Sequence, residues 1–163
     1  MVEQLANTYD IYASKELGSQ EFTVSQETVQ YYIDGLNLEN PWYNTSSPFG
    51  EPVTPALFIA EYASPRQWYS LPSLFGNLWA RQEWELWSPI KVGDHLIVTG
   101  HIKDVYPRRD RTVVVNEVLI QTKKGDRVAR GAHHHSFIMS TASGEASLQD
   151  PKSKTHRNDP INP

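Results

Sequence analysis

The feature that most constrains the fold is the apolar segment PALFIAEYA, which follows Thr54. Threonine is a good helix N-cap and proline is favoured at the first helical position, so the sequence predicts a helix that begins at Thr54–Pro55. Ser64–Pro65 would end this helix, because the residue before a proline disfavours helical backbone angles. Residues 56–63 leave almost no polar face, and we therefore expect the helix to be enclosed by other parts of the protein.

A polar loop comes before this helix, and a short amphipathic helix comes before the loop. Asn40–Pro41 and Ser47–Pro48 disfavour helical backbone in the loop, and Gly50 permits angles that other residues avoid. Upstream, Ser25 is the predicted N-cap of a helix that ends near Gly35. The apolar face of that helix consists of Val29, Tyr32, Ile33 and Leu36. Further upstream, the sequence indicates a weak helical pattern over residues 1–20 and a strand or linker over residues 22–25.

Four segments in the second half of the chain are typical of β-strands, and they cover residues 78–87, 95–106, 111–122 and 127–139. In the second segment Leu96, Val98 and Ile102 fall on one face. An enclosed helix followed by antiparallel strands predicts an α+β domain, in which a curved sheet wraps around a central buried helix. We expect one such domain at residues 1–140, followed by a polar segment, 141–163, that is disordered or draped over a partner.

Composition argues against several classes of function. The 163 residues suffice for about one hydrophobic core. A net charge of −4 and scattered Lys and Arg residues provide no basic surface, so we expect no nucleic-acid partner. The absence of cysteine excludes disulfides and thiolate nucleophiles. No apolar run approaches the roughly 20 residues of a membrane span, and we expect a cytoplasmic protein without a membrane partner.

The order of the motifs resembles the MaoC-like hot-dog family of acyl-thioester hydratases and dehydratases, and most of all its N-terminal-type domain. The specific pieces are Asn40–Pro41 with Tyr43, the segment from Gly50 to Pro55, and the segment from Arg81 through Asp94. Together they extend the resemblance over residues 20–140. It implies a hot-dog fold and a reversible addition of water to an enoyl thioester. The thioester would be carried on coenzyme A or acyl carrier protein, with no other cofactor and no metal.

The resemblance also implies where the substrate binds. A helix start supplies unpaired backbone N–H groups for the thioester oxygen, on which negative charge develops during the reaction. The helix start and the loop before it would therefore contact the substrate, and aromatic residues would line the acyl pocket. The residues expected to bind substrate are Asn40, Gly50, Val53, Thr54, Ala56 and Trp79.

The sequence departs from the family pattern at the catalytic positions. Alignment on Asn40–Pro41 places the family's catalytic Asp on Leu38 and its catalytic His on Tyr43. Leucine cannot carry a proton, and tyrosine, with an ordinary pKa of about 10, is a poor base at neutral pH. One hypothesis is a non-catalytic half that forms a hetero-oligomer with a subunit bearing the dyad. An acyl-thioester binding module without turnover and, with less support, a thioesterase are further hypotheses.

The competing hypothesis is a homo-oligomeric enzyme, a dimer in the simplest case, with relocated proton-transfer groups. The candidates are Tyr43, Glu39, Asp34, His133 and His135. His133 and His135 share one face of a strand and His134 takes the other, so two imidazoles could face one cleft. That alternation also suits a metal, but the sequence identifies no third ligand. The simpler explanation is that one histidine lies in the core or at an interface and the others are exposed, and core packing is the simpler role for Trp84.

Overall fold

The computed structural model describes residues 11–62 and 78–137. The predicted helical pattern at residues 1–10, the predicted helix end at Ser64–Pro65 and the segment from 138 onward lie outside the described residues. The elements are β1 (Glu16–Thr23), α1 (Gln26–Leu36), a 3₁₀ turn (Pro41–Tyr43), α2 (Phe58–Tyr62), β2 (Leu78–Leu86), β3 (His95–Arg108), β4 (Arg111–Thr122) and β5 (Arg127–Phe137).

The five strands form one antiparallel sheet in the order β1-β3-β4-β5-β2. The strands β2 to β5 confirm the four predicted strand segments, and β3 continues two residues beyond its predicted end. The predicted alternation on β3 is also confirmed, because Leu96, Val98 and Ile102 are fully buried. Irregularities in pairing interrupt β3 after Ile102 and β2 after Trp79. Such bulges bend strands, which suits a curved sheet.

The helical pattern expected within residues 1–20 is wrong for residues 16–20, which belong to strand β1. Glu16 pairs with His101, and the register shifts before Gly18, whose φ is +93°. A weak helical pattern with few apolar residues gains little from packing, whereas the edge of β3 offers a full set of backbone hydrogen bonds. Tertiary pairing therefore decides the structure of this segment.

The predicted N-cap of helix α1 is confirmed, and the helix ends one residue after the predicted position, Gly35. The Ser25 hydroxyl accepts a hydrogen bond from the backbone N–H of Thr28 at 3.1 Å. The helix ends at Leu36, and Asn37 follows in the left-handed region with a φ of 50°. Val29 and Ile33 are buried against the sheet. We call this side the inner face of the sheet; its buried residues include Leu96, Val98, Val118, Ile120 and Ala129.

Helix α2 begins at Phe58, three residues after Pro55, the predicted first helical position. The backbone N–H of Thr54 donates to the carbonyl of Ile90 at 2.8 Å, and Val53 forms an isolated β-bridge with Lys91. This extended pairing holds Thr54 outside the helix, so Thr54 is not its N-cap. The expected enclosure holds for Phe58 and Ile59, both fully buried on the inner face. No helix within the described ranges is long and apolar enough to cross a membrane.

Candidate functional site

The loop after α1 uses its polar groups to hold its own shape. The side-chain oxygen of Asn40 accepts a hydrogen bond from the backbone N–H of Trp42 at 3.0 Å and so caps the 3₁₀ turn. The Ser47 hydroxyl donates to the carbonyl of Glu51 at 2.7 Å. Between them Gly50 takes a φ of +99°, which favours glycine. The Lys91 ammonium donates to the carbonyl of Phe49 at 2.6 Å and ties the loop to the residues before β3.

The two positions where a catalytic dyad is expected pack against the protein core. Leu38 and Tyr43 are both partly buried, and both contact the core cluster that contains Ile33 and Phe58. Near them, burial raises the pKa of Tyr32, with the charges of Glu61 and Tyr43 adding to the effect. This region therefore holds apolar side chains and the phenol rings of Tyr32 and Tyr43.

Two of the predicted proton-transfer residues lie in an open cleft of about 620 Å³ beside Leu38. Asp34 and Glu39 line this cleft together with Asn40, so the structure brings these three sequence candidates together. The Asp34 carboxylate accepts a hydrogen bond from the Gln30 amide at 2.7 Å. Chemically, the cleft offers two carboxylates to a ligand from solvent. Tyr43 is not among its lining residues.

A second cavity, of about 430 Å³, gathers three of the predicted substrate-binding residues, Val53, Thr54 and Ala56. We call it the Thr54 cavity. Its other walls come from Phe49 and from the end of β2 with the segment that follows: Leu86, Trp87, Ser88, Pro89 and Ile90. The side chains that form it are mostly apolar, as an acyl pocket requires. Gly50 lies next to Phe49 in the chain, whereas Asn40 lines the other cleft.

The histidine run forms a third group, at the other end of β2 and on the inner face. The indole of Trp79 stacks on the rings of His133 and His135, with centroid distances of 5.3 and 5.6 Å. The ring of Trp84 meets His133 edge-on at 5.4 Å. The prediction that His133 and His135 share a face is confirmed, and both are buried. His134 lies on the outer face, 3.5 Å from the Glu83 carboxylate.

His133 is fully buried and electrically neutral near neutral pH. Burial is the main cause, and together with the neighbouring imidazoles of His135 and His134 it lowers the pKa of His133 from 6.5 to about 4. Among the residues that the structure describes, neither ring nitrogen of His133 has a hydrogen-bond partner, and the same is true of the Trp84 indole nitrogen. Unpaired buried polar groups are rare in folded proteins and destabilise them, so both residues mark a site that needs explanation.

The sequence reasoning missed Asn116 as a member of this group. Asn116 is fully buried on β4, directly opposite His133. The signal was available in TVVVNEVLI, where a lone amide falls on the same strand face as Val114 and Val118. Within residues 11–62 and 78–137, no cluster of three or more His, Asp or Glu side chains suits a metal ion.

The sequence candidates therefore fall into three separate places: the carboxylate cleft, the Thr54 cavity and the histidine–tryptophan group. No family model matches the chain, and no curated protein matches it in sequence. Solved structures do match. A MaoC-like dehydratase from Rhodospirillum rubrum superposes with a TM-score of 0.65 at 18% identity, over 81% of this chain and 96% of the other.

Two further matches are similar in extent. An unliganded (R)-hydratase from Pseudomonas aeruginosa has a TM-score of 0.63 at 16% identity, over 83% of this chain and 92% of the other. A 3R-hydroxyacyl-ACP dehydratase complex from Mycobacterium tuberculosis has a TM-score of 0.66 at 17% identity, over 77% of this chain and 97% of the matched one. The chain thus has the hot-dog fold that MaoC-like dehydratases and (R)-hydratases share, which confirms the predicted fold class.

Proposed function

We propose that this chain is an acyl-thioester-binding subunit of a hydratase or dehydratase, and that a partner subunit supplies the proton-transfer dyad. The observation that carries the proposal is the packing of Leu38 and Tyr43 against the core, at the positions where the resemblance expects Asp and His. Water addition needs a base and an acid beside the β-carbon. A leucine and a partly buried phenol supply neither efficiently at neutral pH.

The Thr54 cavity is the proposed acyl-thioester site. It combines apolar walls with the loop and helix-start residues that the resemblance assigns to the substrate. Helix α2 starts too late for Thr54 to present a free helix N-terminus, and the Thr54 N–H already binds Ile90. The proposal therefore places the acyl chain here and leaves the oxyanion donor to another group. Coenzyme A and acyl carrier protein are both suitable carriers.

The proposed partner is a dyad-bearing hot-dog subunit that docks on the edge strand β2. Strand β2 is exposed along nearly all of its length despite its aromatic composition. Its exposed large apolar side chains are Leu78, Trp79 and Leu86, and Trp87 follows directly. Apolar side chains on an open strand edge favour association with another chain. The match to one chain of a dehydratase complex supports the same arrangement.

The carboxylate cleft favours a second candidate function, in which the chain is itself the enzyme. Asp34 and Glu39 line one cleft beside Leu38, so a relocated acid–base pair would act close to the usual position. In that case Asp34→Asn and Glu39→Gln would each abolish turnover by the purified chain. Under the first proposal these two variants change nothing in the purified chain, because it has no turnover to lose.

The deciding experiment uses the protein purified alone and crotonyl-CoA as the probe. We expect binding by calorimetry but no loss of the enoyl absorbance above the uncatalysed rate. Hydration by the isolated chain would overturn the partner-dependent role, and absence of binding would overturn the thioester-binding role. A Leu38→Asp/Tyr43→His double variant tests the reason for inactivity, since restoring the dyad should produce measurable hydration if the fold is retained.

A further inference from the structure

Two neighbouring polar side chains on the inner face lack partners for three buried polar atoms. Within the described parts of the chain, both ring nitrogens of His133 and the indole nitrogen of Trp84 make no hydrogen bond. The side chain of His133 has no exposed surface. The two rings meet edge-on with centroids 5.4 Å apart, so the unpaired nitrogens belong to side chains in direct contact.

The surroundings of these atoms are apolar or uncharged. On the inner face His133 lies between Asn116 of β4 and Gln82 of β2, in one row across three strands. The rows on either side carry Val114 and Val118 on β4. The nearest described carboxylate on β2, that of Glu83, belongs to the outer face, where it contacts Arg81. The described neighbours named above bring no charge to the inner face, so the group suits a neutral ligand.

The hydrogen-bonding chemistry of the pair selects a hydroxyl group. A neutral imidazole offers one donor and one acceptor, and an indole offers one donor. A hydroxyl oxygen can accept from the Trp84 N–H while its proton is donated to a His133 nitrogen. A hydrocarbon chain forms no hydrogen bond, so burying one there would leave the Trp84 nitrogen and both His133 nitrogens unpaired.

Leu86 of the Thr54 cavity and Trp84 of this pair lie on the same face of β2. Leu86 lines that cavity, Trp84 is the next inward residue on the strand, and Gln82, opposite His133, is the one after. At about 3.3 Å per residue, the distance from Leu86 to Gln82 is about 13 Å, which corresponds to roughly ten carbons of an extended acyl chain. Trp84 lies between Leu86 and Gln82 on β2. This edge strand is paired only with β5 among the described strands.

We propose that His133 and Trp84 bind a hydroxyl group near the far end of an acyl chain whose thioester end occupies the Thr54 cavity. The subunit is thereby selective for acyl thioesters that are oxygenated well beyond the β-carbon. This inference rests on the proposed thioester-binding function and adds a substrate class to it. Trp84 moves aside to admit the chain, and its N–H then donates to the hydroxyl oxygen.

The test compares decanoyl-CoA with 10-hydroxydecanoyl-CoA by calorimetry on the full-length protein in its native assembly. We expect the hydroxylated ligand to bind about tenfold more tightly, which corresponds to about one or two added hydrogen bonds. In His133→Leu and in Trp84→Phe the preference should fall to about twofold or less. The preference is the ratio of the two affinities within each variant, so an effect on the acyl chain that both ligands share cancels. The control is His134→Leu, one residue away on the outer face, which should keep the full preference.

Four outcomes overturn the inference. Equal affinity of the wild-type protein for the two ligands would indicate that the atoms bind only water. A preference that survives in both variants would place the hydroxyl elsewhere. A large fall in melting temperature of both variants, with the control unaffected, would show that the pair is structural. If neither ligand binds to the wild-type protein, the proposed function fails as well, which distinguishes that case from the other three.

Discussion

The ring of Trp84 lies directly over Gly131 on the adjacent strand, so closely that a Cβ atom built on the glycine would fall 2.7 Å from the indole. Gly131 pairs with Trp84 across β2 and β5, and both side-chain positions belong to the inner face. The glycine therefore gives the tryptophan its position, and the tryptophan in turn places its ring edge against His133. The absence of a side chain at Gly131 on β5 thus allows the contact between Trp84 on β2 and His133.

Gly131→Ala should destabilise the protein by about 1–3 kcal/mol, because the new methyl group overlaps the Trp84 ring and no rotamer of the methyl avoids it. Urea unfolding followed by circular dichroism measures the change. Gly35→Ala is the matched control, since Gly35 lies inside α1 with open space around its added Cβ. That variant should be neutral or up to about 1 kcal/mol more stable. Equal effects at the two glycines would refute the close packing.

The stability of the protein should depend on pH through His133. Its folded-state pKa is about 4, below the ordinary value of 6.5, so the unfolded chain binds the proton first as the pH falls. The stabilisation is present at pH 7 and is lost as the pH decreases through the window from about 6.5 to about 4. Between pH 7 and pH 5 the loss amounts to about 2 kcal/mol.

Urea titrations of wild type and His133→Leu at the two pH values isolate this contribution. The variant should lose about 2 kcal/mol less than wild type over the interval. If His133→Leu retains the whole pH dependence, His133 is not the buried neutral group described above.

Filling the Thr54 cavity should block acyl-thioester binding. Ala56 lines the cavity and is exposed, so Ala56→Trp places a large ring in the proposed acyl site with little effect on the core. The expected result is at least a tenfold weaker affinity for decanoyl-CoA, measured by calorimetry. Ala13→Trp, at an exposed position remote in sequence from the cavity, serves as the control. Undiminished binding to Ala56→Trp would move the acyl site away from this cavity.

The β2 edge should carry the association with other subunits, and the purified chain should use it for self-association when no partner is present. Leu78 is an exposed apolar residue of that edge, and a lysine there would bring an unpaired charge into a contact between sheets. Light scattering should show a smaller native mass for Leu78→Lys. Leu36→Lys replaces a leucine of equal exposure at the end of α1 and should leave the mass unchanged. The same mass for all three proteins would exclude β2 as the contact.

Parts of the candidate site could be predicted because they depend on neighbours in sequence. The shared face of His133 and His135 follows from the two-residue period of a strand. The expectation that Leu38 and Tyr43 stand where the family has its dyad rests on the resemblance and on their spacing to Asn40–Pro41. The separation of the candidates into three places could not be predicted, because the distance between Thr54 and Trp79 depends on how the loop docks against β2.

The sequence by itself determined the four strand segments, the Ser25 cap, the inward face of β3 and the shared face of His133 and His135, since all of these arise from local periodicity and local hydrogen bonding. Only the tertiary structure decided the elements that depend on contacts with residues distant in sequence. Strand β1 exists because β3 offers it an edge, and α2 starts late because Ile90 holds Thr54 in an extended conformation. The row that joins Asn116, His133 and Gln82 likewise depends on cross-strand register, which no single segment encodes.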